Sequence, residues 1–346
     1  MSIVAFDSGD FTRRKKIDSH EEVVFYTPLG IGIKVKEDQI EKFVTEYHSC
    51  CKKQIKSFKI PTARYVYSHD DLWKEIGHAK AIKICDLFIE KLQRFIDSIF
   101  VSYVILPPKD IEYVEVGGYG CPLESIKTPR FLRNLSPMFS YLTAWAYSGG
   151  HLREKDRYLI DGFTSKMTTA WRDLSEFPNL KIYPKGDECN EFIAIADMLA
   201  YLTEKKLWDA KSFLEPESVE NVWKKYEFAV ELRFHDQNTL SKMRWFSQEP
   251  IDTSNFFPRP MVFMDVEGIS ISRLTRAQVS VATYACSKGG AFLGFDEYID
   301  PNKVRDGDVY VYAGEQAKKR ANSFKDMFNI KVYSIREIRK EIHHLL

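Results

Sequence analysis

The sequence predicts an α/β protein with a larger N-terminal part and a smaller C-terminal α/β domain. Three observations predict it. Short apolar runs rich in Ile, Val and Phe alternate with longer segments whose apolar residues recur at helical spacing. At 346 residues the chain exceeds a typical single core and fits two domains. Beyond Trp208 the text changes to a charged stretch and a proline-bearing linker, then to a second run of alternating strands and helices.

Each element follows from local pattern. Ile3 to Phe6 reads as a short buried strand, and Asp-Ser-Gly-Asp after it reads as a turn. FTRRKKIDSHEE reads as a basic, exposed turn, and EEVVFYTPLGIGIKV as a second strand region broken by Pro28 and Gly30, so the two strands predict a hairpin. EDQIEKFVTEYHSCCKKQIKSF places Ile40, Phe43, Val44, Tyr47 and Cys51 at helical spacing, and HAKAIKICDLFIEKLQRFIDSI predicts a second helix. FVSYVILPP is a third strand ended by Pro107 and Pro108. Residues 109–133, with VGGYGCPLESIKTPR, read as an inserted loop or lid, and a helix is expected near LSPMFSYLTAWAYSGG. RYLIDGF is strand-like, SKMTTAWRDLSEF a helix capped by Ser165, NLKIYP a strand, PKGDECNE a turn, and NEFIAIADMLAYLTEKKLW a strongly amphipathic helix. DAKSFLEPESVENVWKKYEFAVELRFHDQN reads as helical, and SQEPIDTSNFFPRP as a linker. PMVFMDVEG, DGDVYVYAG and IKVYS are strands separated by helices, which predicts a small parallel sheet. The expected organisation is 1–208, a connector over 209–260, and 261–346.

Composition narrows the function. With 44% hydrophobic and 29% charged residues the chain is ordinary for a globular protein, and no apolar run approaches the ~18 residues of a membrane span. The net charge of +1 supplies no global field toward nucleic acid and leaves room for a local basic patch. Six cysteines include no C-x-x-C pair, so a zinc framework is not expected. Without a signal-peptide pattern, a reducing, cytoplasmic setting is expected. The histidines are scattered, with no H-x-x-x-H pair, and no nucleophile elbow is present.

Three acids share one kind of context. Asp7 ends the first strand, Asp161 ends RYLID, and Asp197 lies inside EFIAIADMLAYL among apolar residues. At ~3.6 residues per turn Asp197 stacks beside Ile193 and Ala200, on or next to the buried face. A carboxylate there needs a partner. A metal ion is one, and a lysine, arginine or backbone donor is another. Glu188 and Glu191 could lean toward the same point. Strand-end and helix carboxylates suit hard cations, which take oxygen ligands and assist phosphodiester cleavage in pairs ~4 Å apart.

At FDSGD and AIADMLAY the chain resembles the RNase H-like superfamily, in which an Asp on the first strand, an acid on a later strand and an acid on a later helix form a metal site. More narrowly it is similar to an uncharacterised family of that superfamily, the Asp-Glu-Ser-Gly (DUF3800-like) nucleases, which have a hydrophobic strand ending in D-E-S-G and a helix of the form Q-x-A-D-hydrophobic-x-A-Y. Asp7, Ser8 and Gly9 map onto the first motif and Asp197 onto the second. The acid between Asp and Ser is absent here, and so is the Gln of the helix motif. Asp161 as the middle acid comes from its strand-end position and matches no motif. The resemblance covers about residues 1–208 and implies an RNase H-like mixed sheet flanked by helices.

The leading expectation is a divalent-metal-dependent nuclease, or a related phosphoryl-transfer enzyme. Asp7, Asp161 and Asp197 would hold Mg²⁺ or Mn²⁺, with Glu188 or Glu191 as a further ligand or water-positioning base. Arg13, Arg14, Lys15 and Lys16 would contact the backbone of DNA or RNA. Two rivals stand beside it. Asp-x-Gly after a first strand also resembles the phosphate loop of actin and sugar-kinase ATPases. Alternatively the fold persists with a decayed site as a nucleic-acid-binding or assembly module, whose C-terminal segment is the candidate surface for a partner or a homodimer contact.

Overall fold

The computed structural model describes residues 1–17, 20–103, 113–116, 119–122, 156–162, 179–209, 216–234, 256–293 and 301–346. Its strands are β1 (Ile3–Ile17), β2 (His20–Val35), β3 (Ile96–Tyr103), β4 (Tyr113–Val116), β5 (Tyr119–Pro122), β6 (Arg157–Gly162), β7 (Leu180–Pro184), β8 (Ala229–Phe234), β9 (Met261–Val266), β10 (Ala291–Phe292), β11 (Val309–Ala313) and β12 (Lys331–Ser334). Its helices are α1 (Ile40–Phe58), α2 (His69–Ile76), α3 (His78–Leu92), α4 (Gly186–Cys189), α5 (Glu191–Asp209), α6 (Pro216–Trp223), α7 (Ile271–Ser287), α8 (Glu315–Met327) and α9 (Ile335–Ile342). The protein is α/β, with a six-stranded mixed sheet ordered β7-β6-β1-β2-β3-β8, a four-stranded sheet ordered β10-β9-β11-β12, and the hairpin β4-β5.

In the larger sheet β1, β2 and β3 form an antiparallel meander. β6 runs parallel to β1, β7 parallel to β6, and β8 parallel to β3. Side-chain alternation divides the two faces. Ile3, Ala5 and Leu159 enter a core with α1, α3 and α5. Val4, Phe6, Tyr158 and Ile160 enter a second core with Phe257, Met261, Phe263 and Tyr310, so the smaller sheet shares apolar burial with the larger one. Gly32 lies opposite Phe6 in the ladder, and a Cβ there would come within 2.4 Å of the Phe6 ring. Glycine leaves the room that this aromatic side chain needs.

Local chemistry sets the helices that matter for the site. Ser68 caps α2 by accepting the Asp71 N–H at 3.2 Å, and Asp70 and Asp71 complement the dipole of the first turn. In α5 every residue from Phe192 to Thr203 is buried, Asp197 included. That segment is a core helix with apolar residues all round, where the sequence suggested an amphipathic one.

Several expectations need correction. The Asp-Ser-Gly-Asp stretch and Arg13 to Lys16 are not turns, because β1 continues through them in register with β2 as far as Ile17. Cross-strand pairing overrides the local turn preference of Asp, Ser and Gly. The second long helix ends at Leu92, and Ile96 to Ser98 already belong to β3. Residues 229–234, read as helical connector, form edge strand β8. PKGDECNE contains the short helix α4, and α2 and β10 were not anticipated. The four-stranded sheet is parallel, as its strand–helix alternation predicts. The residues 123–133 of the expected lid and the helices expected near 135–150 and 165–177 lie outside the described residues. Among the described residues no helix is long and apolar enough to cross a membrane.

Asp308, fully buried just before β11, ties the smaller sheet together. It accepts N–H groups from Met261 at 2.8 Å and Arg305 at 2.9 Å, and it pairs with Arg259. Truncation strands a cation and two donors, so Asp308→Ala is expected to lower unfolding free energy by about 3 kcal/mol. Urea denaturation followed by circular dichroism checks this, and an unchanged midpoint contradicts it.

Candidate active site

The site begins with two strands of one register. Phe6 pairs with Ile160 across the parallel β1–β6 ladder, so Asp7 and Asp161 follow at the same level on neighbouring strands. Strands lie ~4.8 Å apart, and equal phase puts both side chains on one face. Ile3, Ala5 and Leu159 mark that face as the helix-covered one. Asp7 is only 5% exposed, and its Oδ1 accepts the N–H of the adjacent Ser8 at 2.6 Å.

Asp161 is oriented by the turn after β7. Lys185 adopts left-handed geometry, φ 53 and ψ 51, and aims the Gly186 N–H at Asp161 Oδ1, 2.5 Å away. A Cβ on Gly186 would lie 2.6 Å from Ile193 Cδ1 and 3.0 Å from Asp161 Oδ1, so this close approach requires glycine. Asp187 comes next and brings a third carboxylate beside Asp161.

These acids form one electrostatic unit. Burial pushes the Asp7 carboxyl well above its ordinary range, and Asp161, Asp197 and Asp187 push it further. Burial likewise raises Asp161 to about 7; the Gly186 N–H opposes the rise, and Asp197 and Glu188 add to it. Asp187 is raised by burial, then by Asp161, Asp197 and Glu188. Glu188 is raised by burial against the pull of Lys185, whose Nζ stands 3.8 Å from Glu188 Oε1. Among the described residues no cationic side chain pairs with Asp7, Asp161 or Asp187. None of the described His, Cys, Asp or Glu side chains converge as three at metal-ligand distances. The acids act on one another through their fields.

Asp197 is the exception. It is 4% exposed, and both oxygens are engaged by His69: the backbone N–H reaches Oδ2 at 2.7 Å and the ring Nδ1 lies 2.5 Å from Oδ1. Burial works against a charged His69, and the Asp197 and Asp70 carboxylates outweigh it, raising the imidazole to about 10. The pair bridges α2 and α5, with the His69 ring stacked on Tyr201 at 4.7 Å.

Family comparison covers this whole arrangement. A domain of unknown function, DUF8203, matches residues 6–254. The chain belongs to the DUF8203 family. The DUF8203 region runs from Phe6 past β8 and contains Asp7, Asp161, Asp187, Glu188 and Asp197, together with His69. An uncharacterised protein of Archaeoglobus fulgidus is 24% identical over 329 residues, 92% of this chain and 95% of that one. No solved structure matches.

Of the residues singled out in the sequence, the DUF8203 fold brings Asp7, Asp161, Asp197 and Glu188 into one field. Glu191 is not among them. It lies six residues before Asp197, ~600° or a net ~240° around the helix, and faces another side of α5. There its Oε1 meets His48 Nε2 at 2.9 Å and Cys286 Sγ at 3.9 Å. Arg13 to Lys16 also stand apart from the acids, because six or more residues at ~3.3 Å each place them ~20 Å or more along β1 from Asp7. His69, Gly186 and Asp187 were missed. SHDD was legible as a cap followed by acids, and Asp187 sat next to Glu188 in a stretch taken for a plain turn.

The raised carboxyls have a direct consequence for stability. In the unfolded chain an aspartate titrates near 3.8, whereas folded Asp161 titrates near 7. The folded state thus holds the extra proton between these values. Its contribution to stability is full below about pH 4 and is lost as pH rises through about 7. With chelator present, the urea midpoint of wild type is expected to fall between pH 5 and pH 8, and Asp161→Asn, which cannot ionise, is expected to fall less. Equal slopes for the two proteins contradict this account.

Proposed function

We propose that this protein is a divalent-metal-dependent nuclease of RNase H-like architecture. One observation carries the reading: Asp7, a carboxylate 5% exposed, sits level with Asp161 on the adjacent parallel strand, with no cation paired to either among the described residues. Buried like charges without a counter-charge are costly, and a dication is the partner that relieves several at once. The donor set fits Mg²⁺ or Mn²⁺, which take carboxylate oxygens. The sheet order supports the same reading, since an antiparallel meander continues into two parallel strands and the acids stand level with one another, Asp7 within the first strand and Asp161 near the end of its parallel neighbour.

When bound, such a metal would supply a Lewis acid for the phosphoryl oxygen and a hydroxide at neutral pH. The chain supplies the rest. Asp7 and Asp161 are the rigid ligands, because both stand on strands. Gly186 N–H donates to Asp161 Oδ1 and orients that carboxylate. Glu188, with its raised pKa and rim position, is suited to position or deprotonate the attacking water. The long β1–β2 hairpin carries Arg13, Arg14, Lys15 and Lys16 away from the acids, where they would meet the backbone of DNA or RNA at a distance from the scissile bond.

A second reading has its own observation. His69 already neutralises Asp197, as it would in a module that binds nucleic acid without cutting it. The test separates the two. Wild type is expected to cleave labelled DNA or RNA only with Mg²⁺ or Mn²⁺, and Asp7→Asn and Asp161→Asn are each expected to reduce the rate by about 100-fold or more. Salt-sensitive binding with no cleavage would favour the second reading, and full activity in both variants would overturn the first.

A further inference from the structure

We infer that the exposed face of α7 and α9 is a docking surface for single-stranded nucleic acid, whose phosphates are held by Arg273, Arg276, Arg336 and Arg339. This rests on the nucleic-acid reading above and adds to it the form of the strand and a second place where it is held.

The sequence makes the charge of these helices one-sided. From Ile271 to Ser287, α7 has two arginines and no Asp or Glu. Both arginines are exposed, and residues three apart are neighbours on one helix surface. α9 repeats the spacing with Arg336 and Arg339, also exposed. Its two acids are engaged elsewhere. Glu337 closes a capping box with Ser334, and Glu341 Oε1 meets Lys288 Nζ at 2.8 Å. Among the described residues none of the four guanidiniums forms an ion pair. The helices pack side by side, and Arg339 Nε donates to Ser280 Oγ across the joint at 3.3 Å.

Arg276 and Arg339 open onto one cavity of about 410 Å³. Its other walls include Val279, Ile342 and Leu346, with Thr62 and Ala63 from the loop after α1. Guanidiniums bind phosphate through paired N–H donors and stack on bases. An apolar cavity beside them therefore suits a flat base whose phosphate stays outside with the arginines. A duplex keeps its bases stacked within, whereas a single strand turns them out.

The surface adjoins the acids. The Thr62 N–H donates to Glu75 Oε2 at 3.0 Å, and Arg64 Nη2 lies 3.0 Å from Asp71 Oδ1, so the loop that walls the cavity is tied to α2. α2 carries His69, the partner of Asp197. On its other side α7 packs against α4, which holds Glu188. Both arginine-bearing helices lie beyond residue 254, so chain outside the DUF8203 match supplies this surface.

Fluorescence anisotropy of a labelled oligothymidylate with the full-length protein in chelator, over a range of salt, tests this without requiring cleavage. Wild type is expected to bind with a log–log salt slope of about −0.7 for each phosphate held. Arg276→Ala with Arg339→Ala is expected to weaken binding by about tenfold or more at low salt and to flatten the slope by about 1.4. Arg273→Ala with Arg336→Ala is expected to flatten it by a similar amount. Arg276→Lys with Arg339→Lys is expected to keep the slope, because the charge remains, which separates lost contacts from a folding defect. Affinity and slope unchanged in the Arg276→Ala, Arg339→Ala protein overturn this inference alone when wild type still cleaves with Mg²⁺ or Mn²⁺. Tighter binding of a duplex than of a single strand of equal length overturns it too. Displacement by inorganic phosphate far beyond that by chloride at equal ionic strength assigns the arginines to free phosphate and also overturns it. Weakened binding in the alanine pair, with a wild type that never cleaves, supports this surface and overturns the nuclease reading.

Discussion

Asp7 stands level with Asp161 on the neighbouring parallel strand, on the face that the helices cover. Strands ~4.8 Å apart set the spacing, and two like charges at that distance repel by roughly 3 kcal/mol at an effective dielectric near 20. The described side chains that share this face of the two strands, Ile3, Ala5 and Leu159, are apolar and do not relieve it. The surrounding structure has to hold the acids together against their own field. It does so with α5, whose residues from Phe192 to Thr203 are all buried, and with the Lys185–Gly186 turn, whose N–H group anchors Asp161. Packing of this kind cannot relax by a small shift, so the carboxyls respond by holding protons to higher pH.

The fourth acid follows the opposite logic. Asp197 is as buried as Asp7, and the fold gives it a dedicated partner in His69. The bridge joins α2, a short helix with a Ser cap and two acids in its first turn, to the central helix of the core. Among the described residues, carboxylates met only by backbone N–H groups and a carboxylate paired with a histidine thus occur side by side. The first kind suits a site that receives a cation from solution. The second suits an architectural joint, since breaking a buried pair is costly whether or not the intact pair adds stability.

The smaller parallel sheet contributes from behind. Its Met261, Phe263 and Tyr310 pack with Val4, Phe6, Tyr158 and Ile160, the residues that alternate with those on the acid-bearing face. One face of β1 and β6 therefore presents carboxylates to the helices while the other is clamped by apolar contact. This arrangement gives the two strand-borne carboxylates the rigidity that the proposed metal site would require. DUF8203 residues 6–254 contain the acids, and part of the clamp, from Phe257 onward, comes from the chain beyond them.

Periodicity by itself determined most of the elements: α1, β6, β7, the parallel order of the C-terminal strands, and the burial of Asp197 among Ile193, Ala194 and Ala200. It also singled out Asp7 and Asp161 as acids that close apolar runs, although only Asp161 stands near the end of its strand and β1 runs on past Asp7 to Ile17. What only the tertiary structure decided were the partnerships. The continuation of β1 through Arg13 to Lys16 depended on pairing with β2, which a turn-forming Asp-Ser-Gly does not announce. β8 was hidden because an edge strand of six residues is defined by the neighbour it pairs with. Glu191 left the site because six residues of helix turn it to another side of α5, toward His48. His69 reached Asp197 across 128 positions of sequence, and no local pattern encodes a contact at that separation. Residue type and spacing decide which groups are capable of chemistry; the packing of α2, α5 and two parallel strands decides which of them meet.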